Sequence, residues 1–320
     1  MTLAEGVLAG DRIALARAIT LVESGRPDHQ ERARELIEAC LPHTGRSVRL
    51  GITGVPGAGK STFIDALGMD IIRERGEKVA VLAIDPSSPV TGGSILGDKT
   101  RMPRLSMDDN AFIRPSPSGG VAGGVAAKTR EALLLCEAAG YQNVFVETIG
   151  VGQSEVAVAS MVDFFLLLML SGAGDELQGI KRGVLELADL VAFNKADGDN
   201  RVRAEAARKQ LAGALSLLAP YQGGWKPPVV TCSAREGEGI PEIWHTILDH
   251  RANMAASGEL DRKRKRQARE AMYTTIRSAL SEKFFSSPEI RDRSPQLEKD
   301  VMEGRISAYG AARELLGLLP

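Results

Sequence analysis

Lys60 and Ser61 close the run GVPGAGKS, Gly54 to Ser61, whose spacing suits phosphate chemistry. Glycines let the backbone turn its N–H groups inward around phosphate oxygens without Cβ clashes. A helix beginning there adds the positive end of its dipole. A lysine at the end of such a run reaches the β- and γ-phosphates, and the hydroxyl after it can ligate Mg²⁺. Gly54, Pro56, Gly57, Ala58, Gly59, Lys60, Ser61 and Thr62 are therefore the expected phosphate-binding residues. A chance glycine-rich turn would lack the apolar run VRLGIT before it and the helical pattern after it.

A second signal selects the base. NKAD, Asn194 to Asp197, follows the apolar run DLVAFN and resembles the N-K-x-D motif of GTP-binding proteins. A carboxylate such as that of Asp197 accepts hydrogen bonds from guanine N1–H and the exocyclic amine. Adenine offers no such donor pair, and a site with a buried acceptor rejects the analogue that leaves it unpaired. Asn194 and Lys195 complete the motif. CSAR ends the next apolar run, and its Ser233, Ala234 and Arg235 resemble the segment whose backbone N–H meets guanine O6. NKAD alone also fits an ordinary strand-to-loop turn; its place after a phosphate loop and one strand before Ser233–Ala234 gives it meaning. The expected cofactors are GTP or GDP with Mg²⁺.

Asp85, Asp98 and Glu147 are candidate magnesium carboxylates beside Ser61. Mg²⁺ takes an octahedral oxygen shell and keeps several waters, so one or two carboxylates suffice. A carboxylate at a strand's end can equally cap the next helix. Glu147 begins ETIG, which looks like a D-x-x-G element with Glu for Asp, and Gly150 would donate its N–H to the γ-phosphate. That contact disappears with the phosphate, which is the physical basis of a switch. Lys60, Asp98, Glu147 and Gly150 are thus the catalytic candidates. Gln153 is the only glutamine near this element, but it lies three residues past Gly150, so the residue that positions the hydrolytic water stays open. Lys99, Arg101, Lys128 and Arg130 either supply charge to the transition state or are solvated surface residues.

These residues need a frame. Apolar runs at 48–53, 78–84, 111–115, 143–148, 163–170, 189–194 and 228–232 alternate with helical stretches, among them 60–75, 124–139, 198–218 and 239–256. Such alternation predicts an α/β fold, a mostly parallel seven-stranded sheet with helices on both faces. Helical patterns fill 1–46 ahead of the nucleotide domain at 47–256 and return at 257–320 as a C-terminal arm.

Composition narrows the function classes. Of 320 residues 43% are hydrophobic and 25% charged, with a net charge of −1, so no global field points to nucleic acid or an anionic membrane. The longest apolar run, 164–170, is too short to span a bilayer, and the N-terminus lacks a signal-peptide core. Three scattered cysteines, Cys40, Cys136 and Cys232, fit buried thiols in a reducing cytosol. The four histidines show no metal-site spacing. The run RKRKRQAR, 262–269, has no interleaved aromatics and reads as a solvated helix face rather than a nucleic-acid site. Trp225 and Trp244 read as packing residues.

GVPGAGKST, DPSSPVTGGSILGDKTRM, FIRPSPSGGVAGGVAAKTRE, VETIGVGQSE and GAGDELQGIKRG together resemble the MeaB/ArgK family. The match covers roughly residues 10 to 256. The resemblance implies a GTPase that chaperones adenosylcobalamin-dependent acyl-CoA mutases, chiefly methylmalonyl-CoA mutase. It implies gating of cobalamin delivery, protection of the mutase, and a C-terminal arm used in homodimerisation. It implies switches at 85–101 and 147–155, and a third in SGAGDELQGIKRG, 171–183, with Asp175, Glu176, Gln178 and Lys181 as candidate partner residues. A slow intrinsic GTPase completed by its partner is the expectation. The glycine-rich 116–131 stretch is either a second phosphate nest or a flexible connection. A metal-delivering GTPase would need Cys or His clusters, and a small-molecule kinase on this scaffold would be expected to use ATP, against NKAD.

Overall fold

The computed structural model describes residues 1–84, 101–115, 122–148, 154–171, 182–216 and 225–318. They form two compact units, Met1–Gln267 and Ala268–Pro320.

The first unit is built on a seven-stranded sheet of order β3-β2-β4-β1-β5-β6-β7. The strands are β1 (Val48–Gly54), β2 (Val79–Ile84), β3 (Ala111–Pro115), β4 (Asn143–Thr148), β5 (Phe164–Leu170), β6 (Leu190–Asn194) and β7 (Val229–Thr231). Every pairing is parallel, so the sheet is wholly rather than mostly parallel. Parallel strands need crossovers, and the helices that supply them cover both faces, which is why these strands are near-continuous apolar runs.

Side chains alternate across β1. Val48, Leu50 and Ile52 face one core with α4 (Lys60–Arg75), α8 (Arg201–Ser216) and α9 (Ile240–Ala256). On the other face Val144, Val146 and Phe165 meet α5 (Ala122–Ala138), α6 (Ser154–Ala159) and the N-terminal helices α1 (Leu3–Leu8), α2 (Arg12–Glu23) and α3 (Pro27–Cys40). The N-terminal helices therefore share a core with the sheet. Helix α7 (Arg182–Leu187) precedes β6. Sequence-expected boundaries match within a few residues; 198–200, expected to begin a long helix, is a 3₁₀ turn ahead of α8.

Helix α10 (Glu259–Ser286) starts in the first unit. Its basic run is no freely solvated face. Arg264 makes two bonds to Asp163, at 2.9 and 2.6 Å, and Nη2 donates to the Ser47 carbonyl at 2.7 Å. Lys263 Nζ donates to the Asp163 carbonyl at 2.7 Å, and buried Gln267 to that of Val162 at 2.8 Å. Asp163 also accepts from Arg49 N at 3.1 Å, while the Arg49 guanidinium pairs with buried Glu137 at 2.7 and 2.8 Å. This ion network lies at the start of β1 and β5, the sheet edge opposite the glycine-rich loop.

The second unit comprises the rest of α10 with α11 (Pro288–Met302) and α12 (Ala308–Leu316). Ile290, Leu297 and Ala311 are buried in it, and Arg293 pairs with Glu314 at 2.6 Å. Met272, Tyr273, Ile276 and Leu280 recur at helical spacing and stay 45–62% exposed. No helix among the described residues is long and apolar enough to cross a membrane.

Candidate functional site

Central strand β1 ends at Gly54 with β4 and β5 on either side. In open parallel sheets ligands bind outside the carboxyl ends of the strands where the strand order reverses. Gly54 adopts φ 155°, and a Cβ there would lie 2.2 Å from the Leu168 carbonyl oxygen, so only glycine lets the loop leave the sheet here. Gly59 precedes α4 at φ 82°, where a Cβ would approach Asn194 Nδ2 to 2.8 Å. The loop between them is a compact turn, with Ala58 N bonded to the Val55 carbonyl at 3.1 Å.

Lys60 and Ser61 open α4. Lys60 Nζ donates to the Gly54 carbonyl at 2.8 Å, folded back over the loop that a phosphate would occupy. Burial pushes its ammonium below the usual range; Glu147 opposes the shift and the charge of Arg101 adds to it. Arg101 is thus within charge reach of Lys60. Lys128 instead donates to the Glu23 carbonyl, and Arg130 lies near the charges of Arg49 and Glu137.

Ser61 Oγ donates to Glu147 Oε1 at 3.1 Å, and the Glu147 residue is 3% exposed. Next to it, Thr53 and Thr148 share a buried hydroxyl hydrogen bond of 2.7 Å that ties the ends of β1 and β4. A hydroxyl and a buried carboxylate in contact form an oxygen donor set that fits a hard cation such as Mg²⁺. Asp85, Asp98, Lys99, Gly150, Gln153 and the loop candidates Asp175, Glu176, Gln178 and Lys181 lie outside the described residues. So does 116–121 of the second glycine-rich stretch.

The base motif is drawn into the same site. Buried Asn194 ends β6; its Nδ2 donates to the Ala58 carbonyl at 2.7 Å and its Oδ1 accepts from Ala234 N at 3.0 Å. Lys195 turns the chain at φ 60°, a left-handed geometry uncommon for a side-chain-bearing residue. Ser233 Oγ donates to Asp197 Oδ2 at 2.5 Å and orients that carboxylate. Arg235 is exposed beside them. Phosphate loop, Asn194–Asp197 and Ser233–Ala234 thus form one hydrogen-bonded assembly.

A family model described as "Methylmalonyl Co-A mutase-associated GTPase MeaB" matches residues 15–289. The chain belongs to the MeaB family of GTPases. Among its relatives, the Escherichia coli (strain K12) protein named GTPase ArgK is 55% identical over 317 residues, covering 98% of this chain and 96% of that one. The mouse protein named Methylmalonic aciduria type A homolog, mitochondrial, is 47% identical over 321 residues, covering 97% and 77%. A crystal structure of a protein called LAO/AO transport system kinase superposes with a TM-score of 0.78 at 41% identity, covering 99% of this chain and 96% of that one. The MeaB-family chain is a P-loop GTPase in fold and family.

Two groups of contacts at and around this MeaB-family site were not foreseen from sequence. Ser171, at the end of β5, donates to Asn200 Oδ1 at 2.8 Å, and Asn200 Nδ2 donates to the Lys195 carbonyl at 2.7 Å. Asp65 on α4 binds the backbone at Arg104 and Leu105. The only sequence signal for Asp65 is a carboxylate set among the apolar residues of FIDALGMDII.

Proposed function

We propose that this GTPase is a nucleotide-gated chaperone of an adenosylcobalamin-dependent acyl-CoA mutase, with methylmalonyl-CoA mutase the first candidate. The carrying observation is the family match across 15–289, supported by the name of the mouse relative.

In this reading GTP enters with its phosphates in the Gly54–Thr62 loop. The Lys60 ammonium leaves the Gly54 carbonyl for the β- and γ-phosphates, and Thr62 and the loop backbone hold the rest. Ser61 and Glu147, with Asp85 and Asp98, would hold Mg²⁺, which supplies charge neutralisation to the phosphates. Asp197 reads the guanine N–H groups, Asn194 and Lys195 shape that pocket, and Ala234 N meets O6. Water adds to the γ-phosphorus as the bond to the β–γ bridging oxygen breaks, giving GDP and phosphate. Gly150 loses its acceptor at that point, and the 171–183 stretch reports the change to the mutase. Lys181→Ala or Asp175→Ala should then keep GTP affinity while losing mutase-stimulated turnover.

The rest of the chain fits a cytoplasmic homodimer. The half-exposed stripe Met272, Tyr273, Ile276 and Leu280 supports pairing of two 257–320 arms. Partly neutralised by Asp163, the basic run is poorly suited to nucleic acid. A kinase, the activity that the name of the crystal neighbour carries, is the competing reading; the Asn194–Asp197 geometry favours a guanine nucleotide over ATP.

Pull-down of adenosylcobalamin-dependent mutases by the full chain, with GDP and with a non-hydrolysable GTP analogue, tests the proposal. Nucleotide-dependent capture is expected. Equal capture in both states, or none, would contradict it.

A further inference from the structure

Asn200 takes no part in the phosphate, base or magnesium contacts assigned above, yet the base motif is tied to it twice. Neighbouring strands hold the start and middle of that motif. Asn194 is bonded to Ala58 and Ala234, and Ala196 N donates to the Cys232 carbonyl at 3.0 Å. Those bonds leave the carbonyls of Lys195 and Asp197, on either side of Ala196, to be met. Both go to one residue. Asn200 Nδ2 donates to the Lys195 carbonyl at 2.7 Å, and Asn200 N donates to the Asp197 carbonyl at 3.0 Å. The second bond closes the 3₁₀ turn Gly198–Asn200. The first reaches back over that turn into the motif.

The side-chain bond supports a backbone that needs it. Lys195 sits at φ 60°, a conformation that costs a side-chain-bearing residue free energy and persists where its surroundings hold it. This turn lays the lysine across the site. A Cβ at Gly59 would lie 3.8 Å from Lys195 Cε, so the lysine stem runs beside the phosphate loop. The Lys195 turn therefore links the base motif to that loop.

The Asn200 amide is itself fixed. The Lys195 carbonyl can only accept, so the amide nitrogen must face it and the amide oxygen must face the other way. There Ser171 Oγ donates to Oδ1 at 2.8 Å. Ser171 directly follows β5, and flipping the half-buried amide would break both bonds. A chain of hydrogen bonds thus runs from the end of β5 through Ser171 and Asn200 to Lys195.

We infer that Asn200 is a positioning residue for guanine recognition: by holding the Lys195 and Asp197 carbonyls, it keeps Lys195 in its left-handed turn and sets where the Asp197 carboxylate meets the base. Ser233 orients that carboxylate through Oδ2, while Asn200 places the backbone that carries it. The inference rests on the reading of Asn194–Asp197 as the guanine site.

The test is titration calorimetry of the full chain with GDP and with inosine diphosphate, using Asn200→Ala, Asn200→Asp and Ser171→Ala. Hypoxanthine lacks the exocyclic amine of guanine, so it gives the Asp197 carboxylate one donor instead of two. The preference for GDP over inosine diphosphate therefore reports how well that carboxylate is aimed. Asn200→Ala should weaken GDP about fivefold, the scale of one hydrogen bond, and shrink the preference about threefold. Asn200→Asp keeps an acceptor for Ser171 and removes the donor to Lys195, so it should weaken GDP at least as much. It decides the matter if Asn200→Ala does not fold. Ser171→Ala should act in the same direction but more weakly. A residue that served only folding would leave the preference intact. Wild-type GDP affinity in both folded Asn200 variants, or an equal loss for the two nucleotides, would overturn the inference. Failure of the unaltered chain to bind GDP, or equal binding of ADP, would instead strike at the guanine reading.

Discussion

Asn194 is bonded to Ala58 across the site: its Nδ2 donates to the Ala58 carbonyl at 2.7 Å, while its Oδ1 takes Ala234 N at 3.0 Å. One buried amide thus sets the distance between phosphate loop and base pocket. Asn194→Ala leaves two buried backbone groups unpaired, which costs about 1–3 kcal/mol each. The expected outcome is a lower urea midpoint and weaker GDP binding together, measured by denaturation and calorimetry. Unchanged values for both would refute the bridging role.

Asp197 is aimed by Ser233 at 2.5 Å. In the unaltered chain GDP should raise the melting temperature and ADP should not. Asp197→Ala should cut the preference for GDP over ADP by at least about a hundredfold, since selectivity of this kind rests on buried polar groups that the wrong base leaves unpaired. Retained strict selectivity would remove Asp197 from base recognition.

Lys60→Ala should lower turnover by about a hundredfold or more, the scale for losing a charged donor at a transferring phosphoryl group. Ser61→Ala, next to Glu147 at 3.1 Å, should raise the Mg²⁺ concentration needed for half-maximal rate. Rates measured across a Mg²⁺ series separate the two effects. An unshifted Mg²⁺ dependence would argue against Ser61 as a ligand.

Asp163 is fully dependent on donors from other elements, and Arg264 supplies two of them with its own side chain 14% exposed. Arg264→Ala strands a buried charge and should cost about 3–5 kcal/mol. Arg264→Ala combined with Asp163→Asn should recover part of that loss. Urea unfolding of the single and double variants checks both points.

His250 is 5% exposed, held edge-on to Phe164 and Trp225 with ring centroids at 5.0 and 4.6 Å. Burial lowers its folded pKa below the ordinary 6.5; Lys263 lowers it further, while Asp189 and Asp163 pull the other way. A lowered histidine pKa means that the unfolded chain takes the proton first. Stability should therefore fall as pH drops through about 6.5 and level off below the folded value. Thermal unfolding between pH 7.5 and 5.5 should show this slope, and His250→Phe should flatten it.

Most of the sheet could be read from sequence because each signal is local. A buried parallel strand is a short apolar run, and the run at 143–148 became β4 without adjustment. The Gly54–Ser61 and Asn194–Asp197 motifs were legible for the same reason: their chemistry is written in consecutive residues. The contacts that tune the site were not. Asp65 and Arg104 are 39 residues apart, Ser171 and Asn200 are 29, and Asp163 and Arg264 are 101. No periodicity relates such partners, and the basic run containing Arg264 has the composition of a solvated helix face. Only the folded arrangement turns it into an anchor.

Strand β5 begins one residue after Asp163, which grips Arg264, and ends one residue before Ser171, which grips Asn200. Successive side chains of a strand point to opposite faces of the sheet, and β5 is buried along its length, so a single inserted or deleted residue would turn one of those end groups to the wrong face. The length of this strand is thus a shared specification: it sets the phase between an ion pair at one rim of the sheet and a hydroxyl contact at the other. Substitutions along β5 can be absorbed by repacking, whereas insertions and deletions cannot.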